Sequence, residues 1–314
     1  MARDLPSPPT ATEKKQPKGA IIALAGLPNA GKSTLINKLL GYKHSIVSHH
    51  RHTTQRRTLG VCYQDNVQLV LCDTPGFATA LPHALQRAMQ MQLVETMQGV
   101  DLLLWLLRVD GPLTPPAGLL QLPHSLQTKL PLILVLTQTD RLSSGKKVLP
   151  LLQQVNNNWH SSDYLELIPI SAKRGHNIDR LQSVLAQHAP HTGWLYASDF
   201  TSDQPQHFYI AEIIREKILW QTRNEVPHQL GVSIETLQET DKSVHINSLI
   251  RVEREGQKSI VLGKNGRAIK NAGSKARMEL EKYYGRKVML KLYVQVRPGW
   301  RNDCAHISEH LYGS

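Results

Sequence analysis

Cysteine is scarce in this chain of 314 residues. There are three, Cys62, Cys72 and Cys304, with neither metal-site spacing nor a disulfide pattern. That argues against a disulfide-stapled scaffold and a zinc ribbon, and it fits a reducing cytosol. Long apolar runs are missing too. None reaches the ~18 residues that a membrane-crossing helix needs, and the longest, such as Val100–Leu107, include a charge and read as buried strands. Acids are outnumbered, 25 against 37 lysines and arginines, which leaves a net charge of +12. An excess of that size points to a polyanion (nucleic acid, a nucleotide or an anionic membrane) or to a merely basic surface. The stretch 1–18 is rich in Pro, Thr and Lys with no apolar centre. It reads as a disordered leader and not as a signal peptide.

What is present begins with alternation. Short apolar runs at Ala20–Ala25, Val67–Cys72, Leu102–Leu107, Leu132–Leu136 and Leu167–Ile170 are bounded by Pro, Gly or polar residues and read as strands. Helical patterns, including Ser33–Leu40, Pro82–Gln98 and Ile178–His188, lie between several of them. The rhythm predicts an α/β fold with a mostly parallel sheet. In such sheets ligands bind beyond the carboxyl ends of the strands.

The sharpest motif sits at such an end: Gly26-Leu27-Pro28-Asn29-Ala30-Gly31-Lys32-Ser33. The spacing G-x-x-x-x-G-K-[ST], after a strand and before a helix, is that of a phosphate-binding loop. Glycines let successive backbone N–H groups turn toward phosphates, and the helix N-terminus favours negative charge. Lys32 can reach the β- and γ-phosphates, and the Ser33 hydroxyl can bind Mg²⁺.

Three later segments choose the base. Asp73-Thr74-Pro75-Gly76 follows a strand, with an acid for Mg²⁺ and a glycine N–H for the γ-phosphate. Thr137-Gln138-Thr139-Asp140 follows the next run but one, and a carboxylate there can accept two N–H bonds from guanine, which adenine cannot offer. Ser171-Ala172-Lys173 closes the set, with backbone able to meet the guanine carbonyl. Thr53-Thr54, in the polar stretch His49–Arg57, is a candidate switch loop.

The character changes near residue 190. Residues 190–206 are polar and contain proline, and read as a linker. Phe208–Arg223 reads as an amphipathic helix with Ile210, Ile213, Ile214, Lys217, Ile218 and Gln221 at helical intervals, and Leu230–Leu237 and Val244–Val252 read as strands. Ser259–Leu262 reads as a further strand, ending in Gly263-Lys264-Asn265-Gly266, with a helix from Arg267 toward Tyr284. Gly-x-x-Gly in that setting is the RNA-clamping loop of a KH domain. From Lys258 to Arg301 there are 12 Lys/Arg against Glu279 and Glu281, so this window holds +10 of the chain's charge. Lys264, Arg267, Lys270, Lys275 and Arg277 are candidate phosphate contacts.

Pro-Asn-Ala-Gly-Lys-Ser-Thr at 28–34, ending in Thr34, and Asp-Thr-Pro-Gly-Phe at 73–77 resemble the Era branch of the translation-type GTPases. Ile210–Lys217 and Arg297–Arg301 resemble the same family, so the likeness runs from about Gly19 to Asp303. It implies a GTPase domain over 19–189 and a type II KH domain over 207–303, flanked by the leader and by a tail at 304–314. It implies GTP and GDP as ligands, and Mg²⁺ held by Ser33, Thr54 and Asp73, with Lys32 and Thr54 catalytic. A potassium ion at Asn29 is a further option that some relatives suggest. The implied partners are the 3′ end of 16S rRNA and the 30S subunit. A cytoplasmic monomer is expected, with peripheral contact at the inner membrane face seen in some relatives.

The chain departs from the family at two points. Thr137-Gln138 stands where Asn-Lys is usual, and His52-Thr53-Thr54-Gln55 stands where Gln-Thr-Thr-Arg is common. Without that asparagine and lysine, guanine affinity is expected to weaken by ~1–2 kcal/mol. Phe77 stands where Ras-like enzymes carry the glutamine that orients water, so slow intrinsic hydrolysis is expected. Two other readings stay open: an RNA-binding assembly factor whose nucleotide site has decayed, and, less well supported by Asp140, an ATPase. His44, His49, His50 and His52 do not share a metal-binding spacing, and Trp105, Trp194, Trp220 and Trp300 read as packing residues.

Overall fold

A computed structural model describes residues 16–47, 56–74, 84, 91, 95–115, 130–160, 162–190, 193–222 and 230–303. The first half is built from β1 (Lys18–Gly26), α1 (Lys32–Leu40), β2 (Thr58–Gln64), β3 (Val67–Asp73), β4 (Leu102–Arg108), β5 (Leu132–Thr137), α2 (Val148–Asn158), β6 (Glu166–Pro169) and α3 (Ile178–Gln187). The second is built from α4 (Gln206–Leu219), β7 (Gly231–Glu239), β8 (Ser243–Val252), α5 (Glu255–Leu262), α6 (Arg267–Tyr284) and β9 (Lys287–Val296).

The larger sheet has six strands in the order β2-β3-β1-β4-β5-β6. All neighbours are parallel except β2 and β3. Two apolar layers sandwich it. Leu35, Ile36 and Leu39 of α1 and Leu181 and Leu185 of α3 cover one face, while Val155 of α2 packs with Trp105 and Leu134 on the other. Coverage on both sides explains why β3 and β5 read as unbroken apolar runs. The strand order reverses at β1, so the crevice at its carboxyl end is where a ligand fits. Of the helical pattern Pro82–Gln98, Ala84, Met91 and residues 95–98 are described, and all are helical.

The smaller sheet has the order β7-β8-β9, antiparallel then parallel. One face carries α4 and α6, and β9 accordingly alternates between more and less exposed residues. Trp300, 1% exposed, closes this domain against β7, where Gly231 leaves room: a Cβ there would lie 2.9 Å from the indole ring.

Two expectations are corrected. Residues 259–262 are not a strand but the end of helix α5. The Gln257 carboxamide accepts from the N–H groups of Glu253 and Arg254, at 2.8 and 3.1 Å, and so caps the start of this helix. The β-branched Ile260 and Val261 hide that helix from a propensity reading. Helix α4 is not amphipathic in the simple sense, because Glu212, Arg215 and Glu216 on its polar side are buried as well. Arg215 forms a fork-to-fork pair with Glu212, at 2.6 and 2.7 Å.

The polar segment after α3 runs along the edge of the larger sheet. Gln68 accepts from the N–H groups of Leu195 and Tyr196, Leu59 N–H donates to Asp203, and Val61 N–H donates to the Thr201 carbonyl. Among the described residues no helix is long and apolar enough to cross a membrane.

Candidate nucleotide and RNA sites

The phosphate-loop residues turn from β1 into α1. Gly26, Asn29 and Gly31 all have positive φ, 150°, 64° and 95°. A side chain at Gly26 would press its Cβ to 2.8 Å from the Leu106 carbonyl. Lys32, Ser33 and Thr34 form the first turn of α1. The Lys32 ammonium is buried and rests on the carbonyls of Gly26, at 3.1 Å, and Leu27, at 3.3 Å. Burial pulls its pKa down to about 8, against the opposing pull of Asp73. A buried cation resting on two backbone carbonyls is placed to pair with an arriving phosphate.

Asp73 ends β3 at 0% exposure, and Thr74 donates its hydroxyl to the Leu24 carbonyl at 2.6 Å. Ser33, Thr34, Asp73 and Thr74 thus lie at neighbouring ends of β1 and β3. Thr53, Thr54, Pro75, Gly76 and Phe77 fall outside the described residues. Hydroxyl and carboxylate oxygens are the donor set that Mg²⁺ prefers.

The base-side segment is more tightly tied than the sequence suggests. Thr137 donates its hydroxyl to Ala30 O at 2.7 Å and reaches Leu107 O at 3.1 Å. It therefore fastens the phosphate loop to β4 and β5, the loop-joining work of the usual asparagine. Gln138, at φ 62°, donates its amide N–H to Asn29 O at 3.0 Å and accepts from Arg141 at 2.9 Å. Arg141 is itself paired with Asp110 at 2.9 Å. Sequence reasoning missed Arg141 and Asp110, which lack a motif spacing. The carboxylate of Asp140 accepts from the Ser171 hydroxyl at 2.6 Å, and that hydroxyl oxygen accepts from Arg174 N at 3.1 Å. Thr139 N–H donates to Ile170 O at 3.2 Å, which joins the two base-side turns. Ala172 packs on the core beneath, while Lys173 is exposed.

The cysteines and histidine near β2 serve packing. Cys62 and Cys72 are buried, which pushes both thiols up to about 12. His44 is buried against the Thr58 hydroxyl at 2.9 Å, and burial lowers its pKa to about 4. Among the described residues no His/Cys/Asp/Glu group is arranged to hold a metal. Trp105 and Trp300 are buried as expected. Trp220 is not: it is 60% exposed, anchored through its indole N–H to Val47 O at 3.1 Å.

On the second domain, Gly263-Lys264-Asn265-Gly266 joins α5 to α6. Gly263, Asn265 and Gly266 have φ of 69°, 54° and 71°, and a Cβ on Gly263 would meet Ala268 Cβ at 2.6 Å. The turn is thus glycine-dependent and exposes Lys264 and Asn265. Arg267, Lys270, Lys275 and Arg277 are all exposed on α6. Helical spacing puts Arg267, Lys270 and Arg277 in one sector, whereas Lys275 is about 140° from Lys270. A single strand tracking the turn can meet the first three together.

Residues 21–138 match the family described as 50S ribosome-binding GTPase, and residues 225–301 match the KH domain family. The GTPase Era of Pseudomonas putida is 36% identical over 302 residues, covering 96% of this chain and 99% of that protein. The GTPase Era of Marinobacter nauticus is 35% identical over 94% of this chain and 95% of its own. Among solved structures, an Aquifex aeolicus Era variant bound to GDP and AlF4⁻ superposes with a TM-score of 0.88 at 34% identity, covering 95% of this chain and all of that one. Era in complex with MgGDPNP and nucleotides 1506–1542 of 16S ribosomal RNA superposes equally well, 0.88 at 33% identity, over 95% of this chain and 100% of that chain. With relatives of this identity matched along nearly their whole length, the chain belongs to the Era family of GTPases.

Proposed function

We propose that this protein is a GTP-hydrolysing switch whose KH domain binds the 3′ end of 16S rRNA and which assists assembly of the 30S subunit. The observation that carries the guanine choice is Asp140, held by Ser171 beside the phosphate loop. The N–H groups of residues 29–33 and the Lys32 ammonium hold the phosphates, and Lys32 offsets the charge that develops on them. Ser33, Asp73 and Thr54 would hold Mg²⁺, which supplies charge neutralisation on the β- and γ-oxygens when bound. Thr137 keeps the loop tie, so the weakening of guanine affinity is confined to the stacking that a lysine stem would add. Phe77 offers no hydrogen bond to water, so the attacking water is placed by other groups. A potassium ion at Asn29 is the group we assign to that task, and equal turnover in potassium and sodium buffers would dismiss it.

Nucleotide state gates RNA binding in this reading. RNA affinity is expected to differ between a GTP analogue, GDP and no nucleotide. The protein acts as a cytoplasmic monomer, and any contact with the inner membrane face is peripheral, checked by flotation with anionic vesicles. The decisive test is binding of labelled GDP against GTP, ATP and xanthosine competitors, followed by GTP turnover with Mg²⁺. Selective guanine binding with slow turnover is expected. An absence of guanine preference would leave the decayed-site reading, an RNA-binding assembly factor without a switch.

A further inference from the structure

Two lysines and two glutamates meet where the two halves of the molecule touch. Lys43 Nζ lies 2.6 Å from Glu216 Oε2 and 2.6 Å from Glu279 Oε1. Lys217 Nζ lies 2.6 Å from the same Glu216 oxygen and 2.5 Å from Glu279 Oε2. Opposite charges alternate around a closed ring. The ring is shielded, with Glu216 at 5% side-chain exposure and Lys43 at 30%, so its pairs are stronger than ordinary surface ones. Burial alone disfavours both charged forms, yet hydrogen bonds within the ring raise the pKa of Lys217 and lower that of Glu279.

The ring draws on three parts of the chain. Glu216 and Lys217 come from α4, and Glu279 comes from α6, the helix that begins at the Gly263–Gly266 turn. Lys43 comes from the segment that follows α1 and precedes the Thr53-Thr54 stretch. That segment is gripped from both sides. On the RNA-domain side, Val47 N–H donates to Glu216 Oε1 at 3.0 Å, and Ile46, 3% exposed, packs within the apolar core of the second domain. On the nucleotide side, Asn37 of α1 accepts from the N–H groups of His44 and Ser45, both at 2.8 Å, and donates to Ser45 O at 2.7 Å. Asn37 lies about one helical turn beyond Ser33. Packed contacts therefore run without a gap from the RNA turn to the phosphate loop.

We propose that Lys43 and Glu279 are positioning residues that transmit RNA occupancy of the Gly263–Gly266 turn to GTP turnover, along α6, across the ionic ring to residues 43–47, and through Asn37 to α1. This inference rests on the proposed nucleotide–RNA switch and names the residues that couple its two sites. The structure shows the ring closed, and coupling between distant sites requires a second arrangement, which in this proposal is the broken ring.

The test uses the full-length protein. GTP turnover is measured with and without a saturating oligonucleotide of 16S nucleotides 1506–1542, in the unmodified chain, Lys43→Met, Glu279→Gln, the double variant and Lys43→Arg. Met keeps the stem without the charge, Gln keeps the shape of Glu, and Arg keeps the charge. The unmodified chain should show an RNA effect within the range of about 5- to 150-fold usual for coupled sites. Lys43→Met and Glu279→Gln should bring that ratio close to one while basal turnover and RNA affinity hold. The double variant should be no worse than the weaker single, and Lys43→Arg should retain the effect. An unchanged ratio in both single variants overturns the inference and leaves the switch intact. Parallel loss of basal turnover and RNA affinity also overturns it, because the residues would then be structural. A ratio of one in the unmodified chain overturns the switch reading together with this one.

Discussion

β5 and β9 are both apolar-rich strands, yet they are used differently. All six residues of β5 are buried, because helices lie on both faces of its sheet. β9 alternates, because helices cover one face alone and the other meets solvent. The difference extends to the chemistry. In the larger domain the strands are scaffold, and their carboxyl ends carry Lys32, Asp73, Thr137, Asp140 and Ser171. In the smaller domain the candidate RNA turn lies between two helices, and the charge sits on a helix face. The two sites therefore share no residue, and each should fail without the other.

Lys32→Ala gives the largest expected effect. Removing a cation aimed at developing phosphate charge should lower GTP turnover by roughly 10²–10³-fold, while RNA affinity measured in the same nucleotide-free protein stays unchanged. A parallel loss of RNA binding would break the separation. Gly263→Ala is the converse. The positive φ and the 2.6 Å approach to Ala268 impose strain of about 1–3 kcal/mol, so RNA affinity should fall about tenfold or more with basal turnover intact, as filter binding and phosphate release would show.

The nucleotide half should also be more sensitive to acid. His44 is buried and neutral, with a pKa of about 4 against the ordinary 6.5. Between those values the unfolded chain takes up a proton that the folded chain refuses. Its contribution is whole above about pH 6.5, shrinks as pH falls, and levels off below about pH 4. By pH 5 the loss should be about 2 kcal/mol. Urea unfolding at pH 7.5 and 5 should show that loss reduced in His44→Gln; an equal loss would place the acid sensitivity elsewhere. The smallest effect belongs to Thr137→Val, which keeps the shape but drops the tie to Ala30 O. It should weaken GDP binding by about 1 kcal/mol, roughly fivefold, in a competition titration, and leave RNA affinity alone.

The same contrast explains what could be read in advance. Strands buried on both faces announce themselves as apolar runs, and β1, β3, β4 and β5 stood where the runs were. β2 had no such signal: Gly60 interrupts it and its last residues, Tyr63 and Gln64, are half-exposed. α5 was mistaken for a strand because Ile260 and Val261 dominate a helix of eight residues whose cap depends on Gln257. At the candidate nucleotide site the motif residues are nameable from the sequence alone, since phosphates and a base would dictate their spacing. The supports were not. Spacing does not tell where the Thr137 hydroxyl goes, which is to Ala30 O, and nothing in the spacing of Asp110, Gln138 and Arg141 announces their chain of contacts.

The parallel pairing of β9 with β8, and the seat of Trp300 on Gly231, also set an order of birth. The larger domain is complete once α3 ends at Gln187, whereas the smaller domain cannot close before residues 287–300 exist. At a synthesis rate of ~5–20 residues per second, that lag is roughly 6 to 23 s. During it, a nascent chain already carries every residue of the candidate nucleotide site while the sheet of its KH domain is still unfinished.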